Sequence, residues 1–335
     1  MTLAQAQVIR GETGFTSYDA AFRGVLGARP TLRHVVDVDA HEGPVYVADE
    51  DALYFTTVPR RGQVLIKRLG LGEWGLGPAA PEVSVLAADT CVANGMTLGH
   101  DGSLVVCEQG DQTRQARISR VDRSTGSVSV IVDRWRDLPL NSPNDVVVRS
   151  DGSVWFTDPS YGHLQGFRPA PATGDYVYRW DPATRAIDVV DDSFDKPNGI
   201  AFSPDERILY VTDSGANQEP GSFHVERPHH VVAFDVVGGR HLAGRRLIAV
   251  TSPGIPDGLK VDSIGRVYCT GPGGIWVMAP DGKRIGIIRW PEQAVNFAFG
   301  GPDLRTLFCC AHNSVYTLRV KVPGNPHPWY KRRGH

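Results

Sequence analysis

The chain repeats a short strand-like pattern about every fifty residues, and this repeat limits the fold more than any other feature. Each copy has an aliphatic residue, a central residue that is usually aromatic, and another apolar residue. The copies are LYF at 53–55, LVV at 104–106, VWF at 154–156, LYV at 209–211, VYC at 267–269 and LFC at 307–309. Their central residues lie 51, 50, 55, 58 and 40 positions apart. A repeat of this length with about four strands per unit is typical of a β-propeller.

Hairpin signals support the same interpretation. HDGS at 100–103 and SDGS at 150–153 each stand directly before one of the strand-like runs, and Asp-Gly between apolar runs is a strong hairpin signal. No convincing amphipathic helix follows residue 35. We therefore predict an all-β fold, a six-bladed β-propeller with four-stranded blades. A large β-sandwich is the alternative, but a sandwich has no reason to repeat with this phase.

The repeat also suggests how the chain is divided. We expect the propeller to span residues 36–322, with an N-terminal segment at 1–35 and a C-terminal tail at 323–335. In one interpretation, part of the N-terminal segment forms an outer strand that closes the last blade. In the other, the segment is a loose arm. The basic residues at 331–333 are too few to indicate more than a solvated tail.

Composition excludes several classes of protein. Of 335 residues, 41% are hydrophobic and 21% are charged, which is ordinary for a globular protein. The formal charge of −2 gives no basic footprint for nucleic acid or an anionic membrane. No apolar run approaches a membrane span, and the first residues do not resemble a signal peptide. The five cysteines show no CxxC spacing. We therefore expect a cytoplasmic protein, while the sequence does not indicate an oligomeric state.

One position in every repeat carries a side-chain oxygen. It lies 11 or 12 residues before each central strand residue, and the six residues found there are Glu42, Asn94, Asn144, Asn198, Asp257 and Asn296. Acidic residues number 37 and asparagines 8 among 335 residues, so agreement at all six positions is not expected by chance. In a propeller these residues precede the innermost strands, and we expect them to converge at one mouth of the central channel.

Carboxylate and amide oxygens without Cys or His describe a site for a hard cation. Glu42 and Asp257 together would neutralise a divalent ion. Calcium tolerates irregular oxygen coordination better than magnesium does, so we favour Ca²⁺, with Zn²⁺, Mn²⁺ and Mg²⁺ as alternatives. Asn and Asp at strand starts are also common turn residues. Asn94 and Asn296 could be ordinary turn residues, or they could line the pocket beside the metal.

Five stretches resemble the gluconolactonase family, which includes senescence marker protein (regucalcin), luciferin-regenerating enzyme and, more distantly, diisopropylfluorophosphatase. They are EGP at 42–44, NSPND at 141–145, FTDPSYG at 156–162, KPNGIAFSPDERILYVTDS at 196–214 and IPDGLKVDSIGRVY at 255–268. The resemblance implies a six-bladed propeller with one catalytic divalent cation on the axis. The ligands it implies fall on Glu42, Asn144, Asn198 and Asp257, although in some members the residue matching Asn144 contacts substrate more than metal. Relatives often carry Glu-His-Gly where this chain has EQG at 108–110.

These observations predict a metal-dependent hydrolase of the gluconolactonase type. Water would attack the carbonyl of a sugar-acid lactone, or of a related small cyclic ester, while the cation polarises that carbonyl. No GxSxG nucleophile motif is apparent. We assign the catalytic base to Asp257, since Glu42 is longer and better suited to act as a pure ligand.

Four further residues are candidate substrate contacts: Asn94, Asn296, Tyr161 and Asp213. Tyr161 belongs to a long connection that would arch over the site, where simple loop packing is the alternative. Asp213 stands at a strand end, where it is equally plausible as a partner of a ligand or as a turn residue.

Two other functions stay open. A phosphotriester hydrolase resembling diisopropylfluorophosphatase would use the same oxygens to hold a phosphoryl group. A non-catalytic propeller that binds a ligand or a protein would make the central carboxylates mere turn residues.

Overall fold

The computed structural model describes residues 14–27, 29–72 and 81–332. Within these residues the strands form six antiparallel sheets of four or five strands. The innermost strands of neighbouring sheets contact each other all the way around a ring. The prediction of an all-β, six-bladed propeller is confirmed.

Blades 1 to 4 each use four strands that are consecutive in the chain. From the inner to the outer edge, blade 1 contains Glu42–Val47, Ala52–Thr56, Ile66–Gly70 and Glu82–Ala87, and blade 2 contains Ala93–Leu98, Leu104–Glu108, Arg117–Val121 and Val128–Val132. Blade 3 contains Val146–Val148, Val154–Asp158, Tyr176–Trp180 and Ile187–Asp191, and blade 4 contains Pro197–Phe202, Ile208–Asp213, His230–Val237 and His241–Val250.

The N-terminal part of the chain completes the last two blades. Blade 5 contains Leu259–Val261, Val267–Gly271, Gly274–Met278 and Arg284–Arg289, with Gly14–Ser17 as a fifth, outermost strand. Blade 6 contains Asn296–Gly300, Thr306–Cys310 and His312–Arg319, and its outer strand is Leu32–Ala40. That outer strand crosses the boundary we placed at residue 35. Because it comes from the other end of the propeller sequence, its pairing ties the first blade to the last.

Short elements lie in the connections between strands. A two-strand hairpin joins Arg134–Trp135 to Leu138–Pro139, and there are 3₁₀ turns at Ala20–Gly24 and Ala48–Glu50 and helices at Tyr161–Leu164 and Pro328–Arg332. In the described part of the chain, no helix has the length and apolar character that crossing a membrane requires.

The Asp-Gly hairpins form as their chemistry dictates. Gly102 and Gly152 have φ angles of +80° and +85°, a region that favours glycine. In each turn the preceding aspartate accepts a hydrogen bond from a backbone amide: Asp101 from Ser103 at 3.1 Å, and Asp151 from Ser153 at 2.9 Å. These turns fix the register between the first two strands of blades 2 and 3.

The core lies between the faces of adjacent blades. All six central residues of the repeat, on the second strands, are buried: Tyr54, Val105, Trp155, Tyr210, Tyr268 and Phe308. The sequence period therefore marks the layer on which the blades pack.

The segment after blade 6 crosses the channel end opposite the predicted site. The hydroxyl of Tyr330 accepts a hydrogen bond from the backbone amide of Ala48 at 2.8 Å and donates one to the carbonyl oxygen of Tyr46 at 3.1 Å. Trp329 is buried beside Gly102 and lies under the guanidinium of Arg123. Lys331 and Arg332 are exposed. The last described residues thus join blades 1 and 2, with only their charged side chains in solvent.

Candidate functional site

The six residues that share one phase of the repeat all lie where the innermost strands begin. Four fall on the first or second residue of an inner strand, and Asn144 and Asp257 stand two residues before theirs. Since these inner strands neighbour each other around the ring, the side chains belong to one mouth of the channel.

The backbone is irregular at this level. In blades 1, 2 and 4 the pairing of the first two strands shifts register between Glu42 and Val45, between Ala93 and Met96, and between Pro197 and Ile200. β-Bulges often re-aim side chains next to active sites. Here the shift falls at or directly after the predicted site residue in each of the three blades.

Glycine follows four of the six site residues, and each glycine lies against the site residue of the next blade. A Cβ atom at Gly43 would lie 2.5 Å from Asn94 O, at Gly95 2.4 Å from Asn144 O, at Gly199 2.3 Å from Asp257 O, and at Gly258 2.4 Å from Asn296 Oδ1. None of these approaches is compatible with a side chain. The site residues of neighbouring blades can therefore approach this closely only because the glycine positions lack a Cβ.

Threonines on the second strands hydrogen-bond to the backbone of the site residues in the next blade. The hydroxyls of Thr56, Thr157 and Thr212 donate to the carbonyl oxygens of Asn94, Asn198 and Asp257 at 3.3, 2.7 and 3.1 Å. Each of these hydrogen bonds crosses from one blade to the next. They fix the backbone from which the site side chains project.

Glu42 is buried at the junction of blades 1 and 6. Its Oε2 accepts a hydrogen bond from Asn296 Nδ2 at 2.7 Å and another from the Gly43 amide at 3.2 Å. Burial raises the pKa of Glu42 to about 7, the Asn296 hydrogen bond opposes that rise, and nearby Asp145 adds to it. Asn296 therefore contacts the candidate metal ligand Glu42 directly.

Asp257 lies close to Glu42 in the same mouth. Burial of its carboxyl raises the pKa of Asp257 well above its usual value, and the negative charges of Glu42 and Asp145 raise it further. A hydrogen bond from Asn198 favours the ionised form. The two predicted ligands are thus like charges held together in a poorly solvated place, which is an arrangement that a cation would relieve.

Sequence reasoning missed Asp145. This residue is 2% exposed, its Oδ1 accepts a hydrogen bond from the Val146 amide at 2.9 Å, and its Oδ2 is buried without a hydrogen-bond partner. The signal was present, because Asp145 occupies the position that is glycine in four other blades. A pattern of one residue per repeat does not include this neighbouring position.

Lys260 was missed as well. Its Nζ lies 3.8 Å from Asp145 Oδ2, and its charge favours the ionised forms of both Glu42 and Asp257. The pair joins blade 3 to blade 5, a contact that no spacing within one repeat could reveal. Because Asp145 and Lys260 carry opposite charges, the formal charge of the mouth stays at the −2 expected from Glu42 and Asp257 alone.

The residues at the mouth fit a hard divalent cation. The described residues contain no group of three or more His, Cys, Asp or Glu side chains arranged to hold a metal ion. A cation here would therefore depend on the amide oxygens of Asn144 and Asn198 together with the carboxylates. Such an all-oxygen donor set suits Ca²⁺.

Tyr161 lies near this mouth. It begins the short helix Tyr161–Leu164, is buried, and donates a hydrogen bond to the carbonyl oxygen of Ser214 at 3.1 Å. Burial raises the pKa of its phenol, and the neighbouring Asp257 is the next largest cause. Asn94, by contrast, is partly exposed and takes part through its backbone carbonyl.

Asp213 holds the backbone that leads to Asn198. It is fully buried, and its carboxylate accepts hydrogen bonds from the backbone amides of Lys196 at 2.9 Å and Asp195 at 3.1 Å. Asp158 makes the same contacts in blade 3, to the amides of Asn141 and Ser142. These strand-end aspartates hold the loop that leads into the inner strand of their own blade, so they position the site residues from behind.

Comparison with known proteins finds a matching family model and proteins of similar sequence and structure. The family model described as "SMP-30/Gluconolactonase/LRE-like region" matches residues 40–313. A gluconolactonase from Zymomonas mobilis is 31% identical over 309 residues, covering 86% of this chain and 80% of that protein. The structure of a gluconolactonase from Xanthomonas campestris has a TM-score of 0.77 and 29% identity, covering 91% of this chain and 94% of that one. Regucalcin from Agrobacterium tumefaciens, described as a calcium-binding protein, shares the fold with a TM-score of 0.69 at 18% identity, covering 89% of this chain and 96% of that one.

Proposed function

The chain belongs to the SMP-30/gluconolactonase/LRE-like family, and from that premise we propose that it is a metal-dependent lactonase that opens a sugar-acid lactone or a related small cyclic ester. Lactone hydrolysis is the activity named for its gluconolactonase and lactonohydrolase relatives. Dependence on a divalent cation is the further step.

One observation carries that step. Glu42 and Asp257 are held close together with raised pKa values, and each accepts a hydrogen bond from an asparagine side chain. The raised pKa values mean that ionising both carboxyls in this place costs free energy. A bound cation at this mouth would offset that cost.

We assign the cation ligands to Glu42, Asn144, Asn198 and Asp257, and the ion to Ca²⁺. When bound, a divalent ion supplies Lewis-acid polarisation of the substrate carbonyl and stabilises the negative charge that develops on its oxygen. Calcium accepts an irregular set of oxygens from separate chain segments, as the ring provides.

The protein groups supply position and proton transfer. Asp257 takes a proton from the attacking water as the water oxygen bonds to the lactone carbonyl carbon. The ring C–O bond then breaks, and the released alkoxide takes back a proton to give a hydroxy acid. Asn94 is partly exposed and offers an amide that suits the hydroxyl groups of a sugar acid. Asn296, predicted as a second substrate contact, is buried and holds Glu42 instead, and Tyr161 closes one side.

The partner in this proposal is a small molecule. We also propose a reducing compartment, the cytoplasm, because all five cysteines are free thiols and all are buried.

A turnover assay with and without chelator tests the proposal. A pH-indicator screen would compare sugar-acid lactones with a dialkyl fluorophosphate, first on the protein as purified, then after EDTA, then after Ca²⁺ is restored. We expect a lactone to release acid, EDTA to abolish that release and Ca²⁺ to restore it. Lactone turnover that survives EDTA would contradict only the metal dependence, whereas hydrolysis of the fluorophosphate without hydrolysis of any lactone would contradict the substrate class.

A further inference from the structure

A single lysine interrupts an otherwise uncharged ring inside the channel. The six inner-strand residues paired with the central residues of the repeat occupy equivalent positions. They are Val45, Thr97, Val147, Ala201, Lys260 and Ala298. Among these six described positions only Lys260 is ionisable. An ammonium group placed in a channel lined by small and apolar residues requires a compensating partner.

The partner is the acidic cluster at the mouth. Lys260 lies between the buried residues Leu259 and Val261, so its backbone is fixed, and its side chain is 26% exposed. Its Nζ lies 3.8 Å from the one carboxylate oxygen of Asp145 that has no hydrogen-bond partner. No other basic side chain of the described residues forms an ion pair with Asp145.

We propose that Lys260 is a positioning residue: its ammonium is a fixed counter-charge beside the carboxylate cluster of Glu42, Asp145 and Asp257. Three carboxylates against one ammonium leave a formal charge of −2, which matches one divalent cation. Lys260 thereby holds Asp145 out of the metal's coordination and reserves the mouth for a single divalent ion. The inference rests on the proposed cation site and adds what sets its charge.

This role predicts opposite effects for the two partners. Lys260→Met keeps the length and apolar stem of the side chain but leaves three carboxylates uncompensated, so the site should bind cations more tightly and favour a trivalent ion. Asp145→Asn leaves the ammonium without its partner, so the site should bind cations more weakly. The double variant, Asp145→Asn with Lys260→Met, restores the charge of −2. A purely structural role would not produce this reversal.

Calorimetric titration with Ca²⁺ and with Tb³⁺ measures the effect directly. We expect Lys260→Met to tighten Tb³⁺ binding by about tenfold or more, Asp145→Asn to weaken Ca²⁺ binding by a similar factor, and the double variant to return near wild type. Lys283→Met removes an exposed lysine paired with Asp19 and serves as the control with unchanged affinity.

Unfolding in EDTA gives a second readout that needs no metal. Without its ammonium, the carboxylate cluster repels itself, so Lys260→Met should unfold at lower denaturant concentration, and the double variant should recover. Equal metal affinities in wild type and Lys260→Met, or a double variant less stable than either single variant, would overturn the inference. If wild type bound no cation at all, the proposed metal site would fail and this inference with it, although lactone turnover could persist.

Discussion

At the residue scale, the geometry of the site depends on glycines, which have no Cβ atom. Four glycines allow one blade's site residue to touch the next, and Gly199 lies against the backbone oxygen of Asp257. The arrangement of the candidate site is therefore a property of backbone packing as much as of the site side chains themselves.

The substitution Gly199→Ala tests this dependence. Its Cβ would lie 2.3 Å from Asp257 O and 3.0 Å from Leu259 N, and backbone cannot move aside cheaply. We expect a loss of about 1–3 kcal/mol in the free energy of unfolding, measured with urea, together with reduced lactone turnover. Gly27→Ala is the control, because nothing lies within 4 Å of its Cβ position. Equal stability of the two variants would contradict the packing argument.

Substitution of Asp257 and of Asp213 should distinguish a residue needed for hydrolysis from a residue needed for stability. Asp257→Asn should abolish lactone hydrolysis while leaving the fold as stable as wild type or more so, because one of two crowded like charges is removed. Asp213→Asn should lower the free energy of unfolding by about 1–2 kcal/mol, because its carboxylate serves backbone amides, but it should keep turnover in the folded protein. Steady-state rates and urea titrations on both variants measure this. Turnover by Asp257→Asn would reject its role as base.

At the element scale, the candidate site is built at the start of each inner strand. The strands themselves pack the blades together, and the register shifts in blades 1, 2 and 4 set the direction of the side chains there. Periodicity could predict this level of organisation because each blade repeats the same strand, hairpin and site position.

The elements that sequence reasoning did not place are those outside the repeat. Asp145 and Lys260 form their ion pair between blades 3 and 5, and such a pairing depends on how the ring closes. The helix Pro328–Arg332 has no counterpart in other blades. The strand-end position of Asp213 allowed either a partner of a ligand or a turn residue, and spacing could not show that its carboxylate accepts hydrogen bonds from the amides of the preceding loop.

The stability of the C-terminal helix Pro328–Arg332 should depend on pH through His327. The ring nitrogen Nδ1 accepts a hydrogen bond from the Trp329 amide at 3.0 Å, and burial lowers the pKa of His327 to about 3. The unfolded chain therefore binds a proton that the folded one excludes between pH 6.5 and 3. Stability from this group is full above pH 6.5 and is lost as pH falls, by up to about 1.4 kcal/mol per pH unit.

His327→Gln should remove that part of the pH dependence. Urea unfolding from pH 7.5 to 5 is expected to give a shallower decline for the variant than for wild type. His241→Gln changes an exposed histidine and should follow wild type. Parallel curves for His327→Gln and wild type would show that the helix does not depend on a neutral imidazole.

At the scale of the whole molecule, ring closure and the site are linked. Strand Leu32–Ala40 pairs with His312–Arg319 to close blade 6, and Glu42 follows that strand almost at once. On the other side of the same junction, Asn296 binds Glu42. Glu42 thus lies at the seam where the two ends of the propeller meet.

A cation at this seam should stabilise the entire ring. Ligand that binds only the folded state adds about 2.7 kcal/mol at a hundredfold excess over its Kd. We therefore expect Ca²⁺ to raise the thermal midpoint relative to EDTA, and Glu42→Gln to lose most of that rise. A midpoint that does not respond to Ca²⁺ would contradict the predicted linkage.

The most direct test of the proposed site is the position of the ion. A crystal grown with Ca²⁺ and measured at long wavelength gives an anomalous difference map in which calcium stands out. We predict one peak at the channel mouth, in contact with oxygens of Glu42, Asn144, Asn198 and Asp257 and away from Lys260. A mouth without a peak, in a crystal soaked at saturating Ca²⁺, would contradict the metal site.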